Sequence, residues 1–259
     1  MATSIFHSIV FGPVKSRRLG VSLGINLLPS DGKICSFNCI YCECGLNQER
    51  KTKTSFPEFE EVKEALLIKL TQMKSAGECL DVITFAGNGE PTLYPRFAEV
   101  IDAVIELRDR LFPAAKISVL SNATMLHKQD VVNALLKVDN NIQKLDGIND
   151  ETVHLLNAPN NPDFSLRKVV EQLKAFNGKV IVQTIFLEGE LNGRFFSNSD
   201  EIQVNAWLQL VKEISPRQVM IYTIDRPVPT LGLKKVSLQR LREIGEKVKA
   251  AGFDVSIAG

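Results

Sequence analysis

The chain has 259 residues, a formal net charge of +1, 44% hydrophobic residues and 24% charged ones. That length supports one domain with a full core, and the composition excludes disordered, collagen-like and disulfide-scaffold classes. No apolar run approaches the roughly 18–20 residues of a membrane span. The opening Met1 to His7 lacks the basic-then-apolar layout of a secretory signal, so a cytoplasmic protein with no membrane partner is expected. A charge near zero disfavours broad nucleic-acid binding and leaves room only for local basic sites such as Lys15-Ser16-Arg17-Arg18.

In chain order, a strand is expected over residues 20–27, ahead of a dense group of cysteines. Short β-branched runs then predict strands at 81–85, 116–120, 179–185 and 218–222, with a shorter one at 142–146. Helical stripes lie between them: Val62, Leu66, Leu70, Met73; then Phe97, Val100, Ile101, Val104, Ile105. Val169, Val170, Leu173 and Phe176 make a third, and Leu238, Leu241, Ile244 and Val248 a fourth. Gly77, Gly178 and Gly252 stand where helices should stop. Such alternation predicts a parallel sheet wrapped by helices, with about six βα units, too few for a closed eight-unit barrel. The stretches 42–57, 157–165 and 188–199 are expected to be irregular.

Cys35, Cys39 and Cys42 form a C-x3-C-x2-C pattern. Three thiolates on one short loop can converge on one inorganic centre, and thiolates favour zinc or iron–sulfur. Structural zinc asks for four protein ligands. Here only Cys44 is near, at an awkward spacing, Cys79 follows a predicted helix, and His7, His127 and His154 are all distant in sequence. Three cysteines can instead hold three irons of a [4Fe–4S] cube, leaving the fourth iron open.

The pattern, with Tyr41 before its last cysteine, resembles the signature of the radical S-adenosylmethionine (SAM) superfamily. That resemblance implies a partial (β/α)6 TIM-like barrel and a [4Fe–4S] cluster on Cys35, Cys39 and Cys42. It also implies reductive cleavage of SAM to a 5′-deoxyadenosyl radical that abstracts hydrogen from a substrate. Gly87-Asn88-Gly89-Glu90 after the strand at 81–85 is similar to the family's Gly-Gly-Glu segment. On that likeness Glu90 receives the SAM ammonium, Gly87 and Gly89 give backbone room, and Tyr41 packs near adenine.

Ser121 and Asn122 end the next strand and suit a carboxylate or ribose, although both are also common helix-start residues. Lys144 and Asp146 share a face, as a ribose-binding acid with a nearby lysine or as a surface ion pair. Gln183 asks for a polar partner within an apolar strand; either face of that strand is a candidate interior, and Gln183 is expected inside, near SAM. Arg17 and Arg18 would meet an anionic substrate group.

The likeness covers nearly the whole chain, as one domain over 1–259, with an N-terminal extension and first strand (1–30), a cluster-binding loop (31–57) and the remaining units (58–259). The run from Phe11 to Gly20, Gly24-Ile25-Asn26-Leu27, Lys144-Leu145-Asp146 and Tyr222-Thr223-Ile224-Asp225-Arg226-Pro227 resembles the wyosine-synthase-like subgroup. It implies a tRNA or other nucleic-acid base as substrate, with a protein or peptide as the alternative. The two remaining cysteines are too few for a second all-cysteine cluster, and with no flavodoxin-like extension the electron donor should be a partner of flavodoxin or ferredoxin type. The rival class is a non-enzymatic iron–sulfur electron carrier, which would need Cys44 as a fourth ligand.

Overall fold

The computed structural model describes residues 5–16, 20–49, 51–191 and 193–259, so Arg17 and Arg18 lie outside the described residues. Two compact units emerge from its contacts, Ile5–Cys35 with Asn47–Asn141, and Ser36–Leu46 with Ile142–Gly259. Among the described residues no helix is long and apolar enough to cross a membrane.

The first unit contains β1 (Val10–Ser16), β2 (Gly20–Ile25), α1 (Phe59–Ser75), β3 (Val82–Phe85), α2 (Phe97–Leu111), β4 (Lys116–Ser121) and α3 (Gln129–Leu135). β1 pairs antiparallel with β2, while β2, β3 and β4 run parallel. Helix α1 starts at a reciprocal cap between Glu58 and Glu61 and buries the predicted stripe Val62, Leu66, Leu70 and Met73. Gly77 then takes the left-handed conformation at φ +68°. In α2, Leu107 joins the buried face and Ile105 does not. Phe85 meets Phe97 edge-on, which turns the Ile83 and Phe85 face of β3 toward α2. The opposite face carries small polar groups, Ser22 and Thr84 sharing a 2.8 Å hydrogen bond.

The irregular stretch expected at 42–57 contains one short 3-10 turn at Asn47–Glu49. Its later part is pinned to Asp31, whose carboxylate accepts from Thr52 Oγ1 (2.6 Å), Thr54 Oγ1 (2.7 Å) and Lys53 N (2.9 Å).

The second unit is built on β5 (Asn140–Lys144), two residues earlier than expected, with β6 (Ile181–Ile185), β9 (Gln218–Tyr222) and β11 (Asp254–Ala258), all parallel. Helices α4 (Asp150–Asn157), α5 (Leu166–Lys174), α6 (Glu201–Ile214) and α7 (Leu238–Ala250) belong to it. The stretch 188–199 is not irregular. It holds β7 (Leu187–Leu191) and β8 (Arg194–Ser197), a hairpin joined by β10 (Leu233–Lys235) into a separate antiparallel sheet.

Trp207 of α6 donates its indole N–H to Thr184 Oγ1 (3.0 Å), and Thr184 donates to the Leu145 carbonyl (2.7 Å). Thr184 therefore faces α6, and alternation sends Ile181, Gln183 and Ile185 to the other face. The register places Lys144, Gln183, Met220 and Ser256 in one row across that face. Trp207 also packs edge-on against Phe186, with ring centroids 5.2 Å apart. Trp207→Phe keeps the ring and removes one buried donor, so it should cost about 1 kcal/mol. Trp207→Ala should cost about 3–5 kcal/mol, both read from urea unfolding.

Candidate active site

In the first unit, the segment leading to Cys35 behaves as a one-residue extension of the sheet. Ile34 N–H donates to the Asn88 carbonyl (3.0 Å) and Glu90 N–H to the Ile34 carbonyl (3.1 Å), a parallel bridge between Ile34 and Gly89. Gly89 has φ +135°, and a Cβ there would lie 1.9 Å from the Ile34 oxygen. Gly87 has φ +130°, with the Asn26 side chain 2.5 Å from a would-be Cβ. The room these glycines leave is thus filled by Ile34 and Asn26. Asn88 is fully buried, its amide donating to the carbonyls of Phe6 and Pro29 and accepting from Phe6 N–H, all at 2.8 Å. It holds the N-terminal segment in place.

Glu90 is 2% exposed. Its carboxylate accepts from Thr92 N (3.1 Å), Thr92 Oγ1 (2.6 Å) and Asn122 N (2.7 Å), and the Ser121 hydroxyl lies against it. No cation faces it among the described residues. Burial raises its pKa, and these hydrogen bonds only partly offset that. Ser121 Oγ accepts from Ala123 N (3.1 Å), while Asn122 Oδ1 accepts from Thr124 N (3.1 Å) and Oγ1 (2.8 Å). This fixes the Asn122 amide so that Nδ2 donates to Cys35 Sγ at 3.7 Å.

In the second unit, the loop carrying Cys39 and Cys42 is held by the end of α4. The last carbonyls of a helix lack intrahelical donors. Here Asn38 N–H donates to the carbonyls of Asn157 (2.8 Å) and Ala158 (3.1 Å), and Ile40 N–H to that of Leu156 (3.0 Å). Beneath the loop lies a buried polar network. Tyr41 donates its hydroxyl to Asp146 Oδ2. Asn157 Nδ2 donates to Tyr41 Oη (2.7 Å), Asp146 Oδ2 (2.8 Å) and Cys39 Sγ (3.4 Å), and Ile185 N donates to Asp146 Oδ1 (3.0 Å).

Lys144 Nζ is 3.5 Å from Asp146 Oδ2 and donates to Tyr222 Oη at 2.7 Å. The ammonium also sits over the rings of Tyr41 and Tyr222, at 5.2 and 5.0 Å. Burial opposes charge on Lys144, yet Asp146 and Tyr222 outweigh it and raise its pKa. Burial pushes the Cys39 thiol up to about 11, with Cys42 adding to the shift and Asn157 and Lys144 working against it.

Tyr41 and Asp146 are therefore used inside the protein. Tyr41 packs with Leu156, Ile185 and Leu187, and the Asp146 side chain has no exposed surface. Gln183 is 4% exposed on the row shared with Lys144. The segment from Tyr222 to Pro227 supplies the hydroxyl for Lys144, a Thr223 Oγ1 that accepts from Val236 N, and an exposed ion pair from Arg226 to Glu43. Asn157 is the residue that sequence reasoning missed. It carries only a helix-end signal, with proline two residues on, and its thiol partner lies 118 residues away.

A family model described as the Radical SAM superfamily matches residues 30–195. The chain belongs to the radical SAM superfamily. It is 33% identical over 220 residues to a Brachyspira hyodysenteriae protein named GTPase Obg, across 84% of this chain and 30% of that protein. A UPF0026 protein of Helicobacter pylori is 32% identical over 225 residues, across 85% of this chain and 67% of that protein. The chain thus spans under a third of the first relative's length and two thirds of the second's.

Among solved structures, SAM-bound SuiB of Streptococcus suis matches with TM-score 0.63 and 16% identity, over 88% of this chain and 49% of that one. A radical SAM methyltransferase from Sphaerobacter thermophilus matches at 0.67 and 14%, over 92% and 65%. TYW1 with a lysine–pyruvate adduct bound matches at 0.63 and 15%, over 88% and 73%. At these identities the likeness establishes the fold, an α/β domain with the parallel sheet of a partial TIM-like barrel of the radical SAM enzyme type.

The thiols fit the iron–sulfur group that this family implies. Three thiols within a C-x3-C-x2-C segment can hold three irons of such a cube. Covalent reach keeps the Cα atoms of Cys35 and Cys39 within roughly 14 Å. Cys39, held protonated by burial and by Cys42, is a thiol whose proton a metal would displace. Gly89→Ala should cost about 2–4 kcal/mol in urea unfolding and speed iodoacetamide labelling of Cys35. Gly77→Ala, also at positive φ but with open space around it, serves as the milder control.

Proposed function

We propose that this protein is a radical SAM enzyme whose Cys35, Cys39 and Cys42 hold a [4Fe–4S] cluster and whose Glu90 receives the ammonium of SAM. The observation that carries the SAM reading is the buried Glu90 carboxylate, with hydrogen-bond donors around it but no opposing cation among the described residues. A buried charge without a counter-ion is costly, and a ligand ammonium supplies the missing partner. When bound, the cluster and SAM supply one-electron cleavage that generates the 5′-deoxyadenosyl radical and so a hydrogen abstraction from substrate.

The protein's own residues bind and orient. Thr92 and the Asn122 backbone hold Glu90 in one rotamer, and the Ile34–Gly89 bridge keeps Cys35 beside that segment. Asn38 and Ile40 anchor the second part of the cysteine loop on α4. Gln183, buried on the row shared with Lys144, offers hydrogen bonds to SAM or substrate from the face turned away from α6. Asp146 and Tyr41 act from behind, as the support of that surface.

As substrate we propose a nucleic-acid base, with a peptide as the second candidate. The sequence resemblance to the wyosine-synthase-like subgroup, with TYW1 among the structural neighbours, supports the first, and SuiB, solved bound to its precursor peptide SuiA, the second. The electron donor is proposed to be a separate flavodoxin or ferredoxin.

Anaerobic reconstitution with iron and sulfide, followed by dithionite and SAM, should yield 5′-deoxyadenosine in wild type and none in Cys39→Ala. A Cys44→Ser variant should keep its cluster, whereas loss of iron there would favour the electron carrier. Glu90→Gln should weaken SAM binding by roughly tenfold to a hundredfold, the equivalent of about 1.5–3 kcal/mol for a hydrogen bond to a charged group, measured by calorimetry. Cluster formation without SAM binding or cleavage would refute the reading. Product formation stimulated by RNA or by peptide pools would then choose the substrate class.

A further inference from the structure

We infer that Asn122 and Asn157 are positioning residues for the iron–sulfur group, each turning a side-chain N–H onto one ligating sulfur, orienting the thiols and setting the reduction potential. The inference rests on the proposed roles of Cys35 and Cys39 as ligands. Asn122 Nδ2 lies 3.7 Å from Cys35 Sγ, and Asn157 Nδ2 lies 3.4 Å from Cys39 Sγ. Neither contact follows from chain proximity, since the pairs are 87 and 118 residues apart.

The Asn122 amide is held through its oxygen, so its aim at sulfur is preset, and the Asn157 amide is held by burial and by the bonds its Nδ2 makes beside the sulfur. Asn122 Oδ1 is engaged by Thr124 N and Oγ1, which fixes the carboxamide plane and leaves Nδ2 toward Cys35. Asn157 is 1% exposed, and its Nδ2 is shared among Cys39, Tyr41 and Asp146. The two donors belong to different units, each serving the cysteine within its own. An N–H dipole facing a thiolate stabilises negative charge on the sulfur, and hydrogen bonds to sulfur are among the factors that set an iron–sulfur potential. Adding an electron to the cluster raises that charge, so removing either donor penalises the reduced state more than the oxidised one.

The test uses the full chain reconstituted anaerobically, with iron and sulfide content, circular dichroism and an EPR-monitored redox titration as readouts. Asn122→Ser retains a side-chain oxygen for the Thr124 turn and removes the donor to sulfur. Asn122→Asp does the same and adds a charge, and Asn157→Ser shortens the side chain away from Cys39. Each should fold and show a more negative potential, on the order of a tenfold loss in the reduction equilibrium, or about 59 mV for one electron. A folded variant that retains less iron than wild type supports the orienting part of the role.

Wild-type iron content together with wild-type potential in Asn122→Ser and Asn157→Ser would overturn the inference. So would a shift confined to Asn122→Asp, which would assign the effect to added charge. If Asn157→Ser fails to fold, the two Asn122 variants decide the matter. A wild-type protein that takes up no iron–sulfur group would instead refute the ligand assignment, a result visible before any variant is compared.

Discussion

The cysteine loop has no sheet or long helix of its own, so its backbone must borrow partners. It does so at both ends. Ile34 borrows the edge of Gly89, and Asn38 and Ile40 borrow the open carbonyls at the end of α4. The second arrangement satisfies two needs at once, because those carbonyls would otherwise be orphaned and the loop amides would be left without acceptors. The helix end also brings a donor to Cys39, since Asn157, its last residue, carries the amide that reaches the sulfur.

Two buried carboxylates show how differently one fold can treat the same group. Asp146 is surrounded by donors and has Lys144 as a counter-ion, so its charge is balanced within the protein. Glu90 has donors and no cation, and burial raises its pKa. The first arrangement is balanced within the protein. The second leaves a fixed, buried carboxyl with no counter-ion among the described residues, and this is the feature on which the proposed SAM ammonium contact rests.

Much of this was legible in the residues. Alternation located all six parallel strands between 20 and 222, and the helical stripes of α1, α2, α5 and α7 were visible as apolar spacing. The β7–β8 hairpin was hidden because Glu188, Gly189, Glu190 and Gly193 break the apolar pattern of a strand that is only partly buried. Helix α4 has only Val153, Leu156 and Asn157 buried, too little periodicity to announce itself. The choice of face for Gln183 could not be made from alternation alone and was settled by Trp207, which binds the neighbouring Thr184. Asn157 and Asn122 were opaque as sulfur donors because their partners lie far away in the chain.

The Ile34–Gly89 bridge also bears on how this protein can change over time. Cys35 and Glu90 are each one residue beyond the bridged pair, which stands alone outside the strands. A deletion or insertion on either side would move Cys35 relative to Glu90 or break the bridge. The two segments must therefore change as a matched pair if Cys35 is to keep its place beside Glu90. For redesign of the cysteine loop, this single bridge is the fixed point.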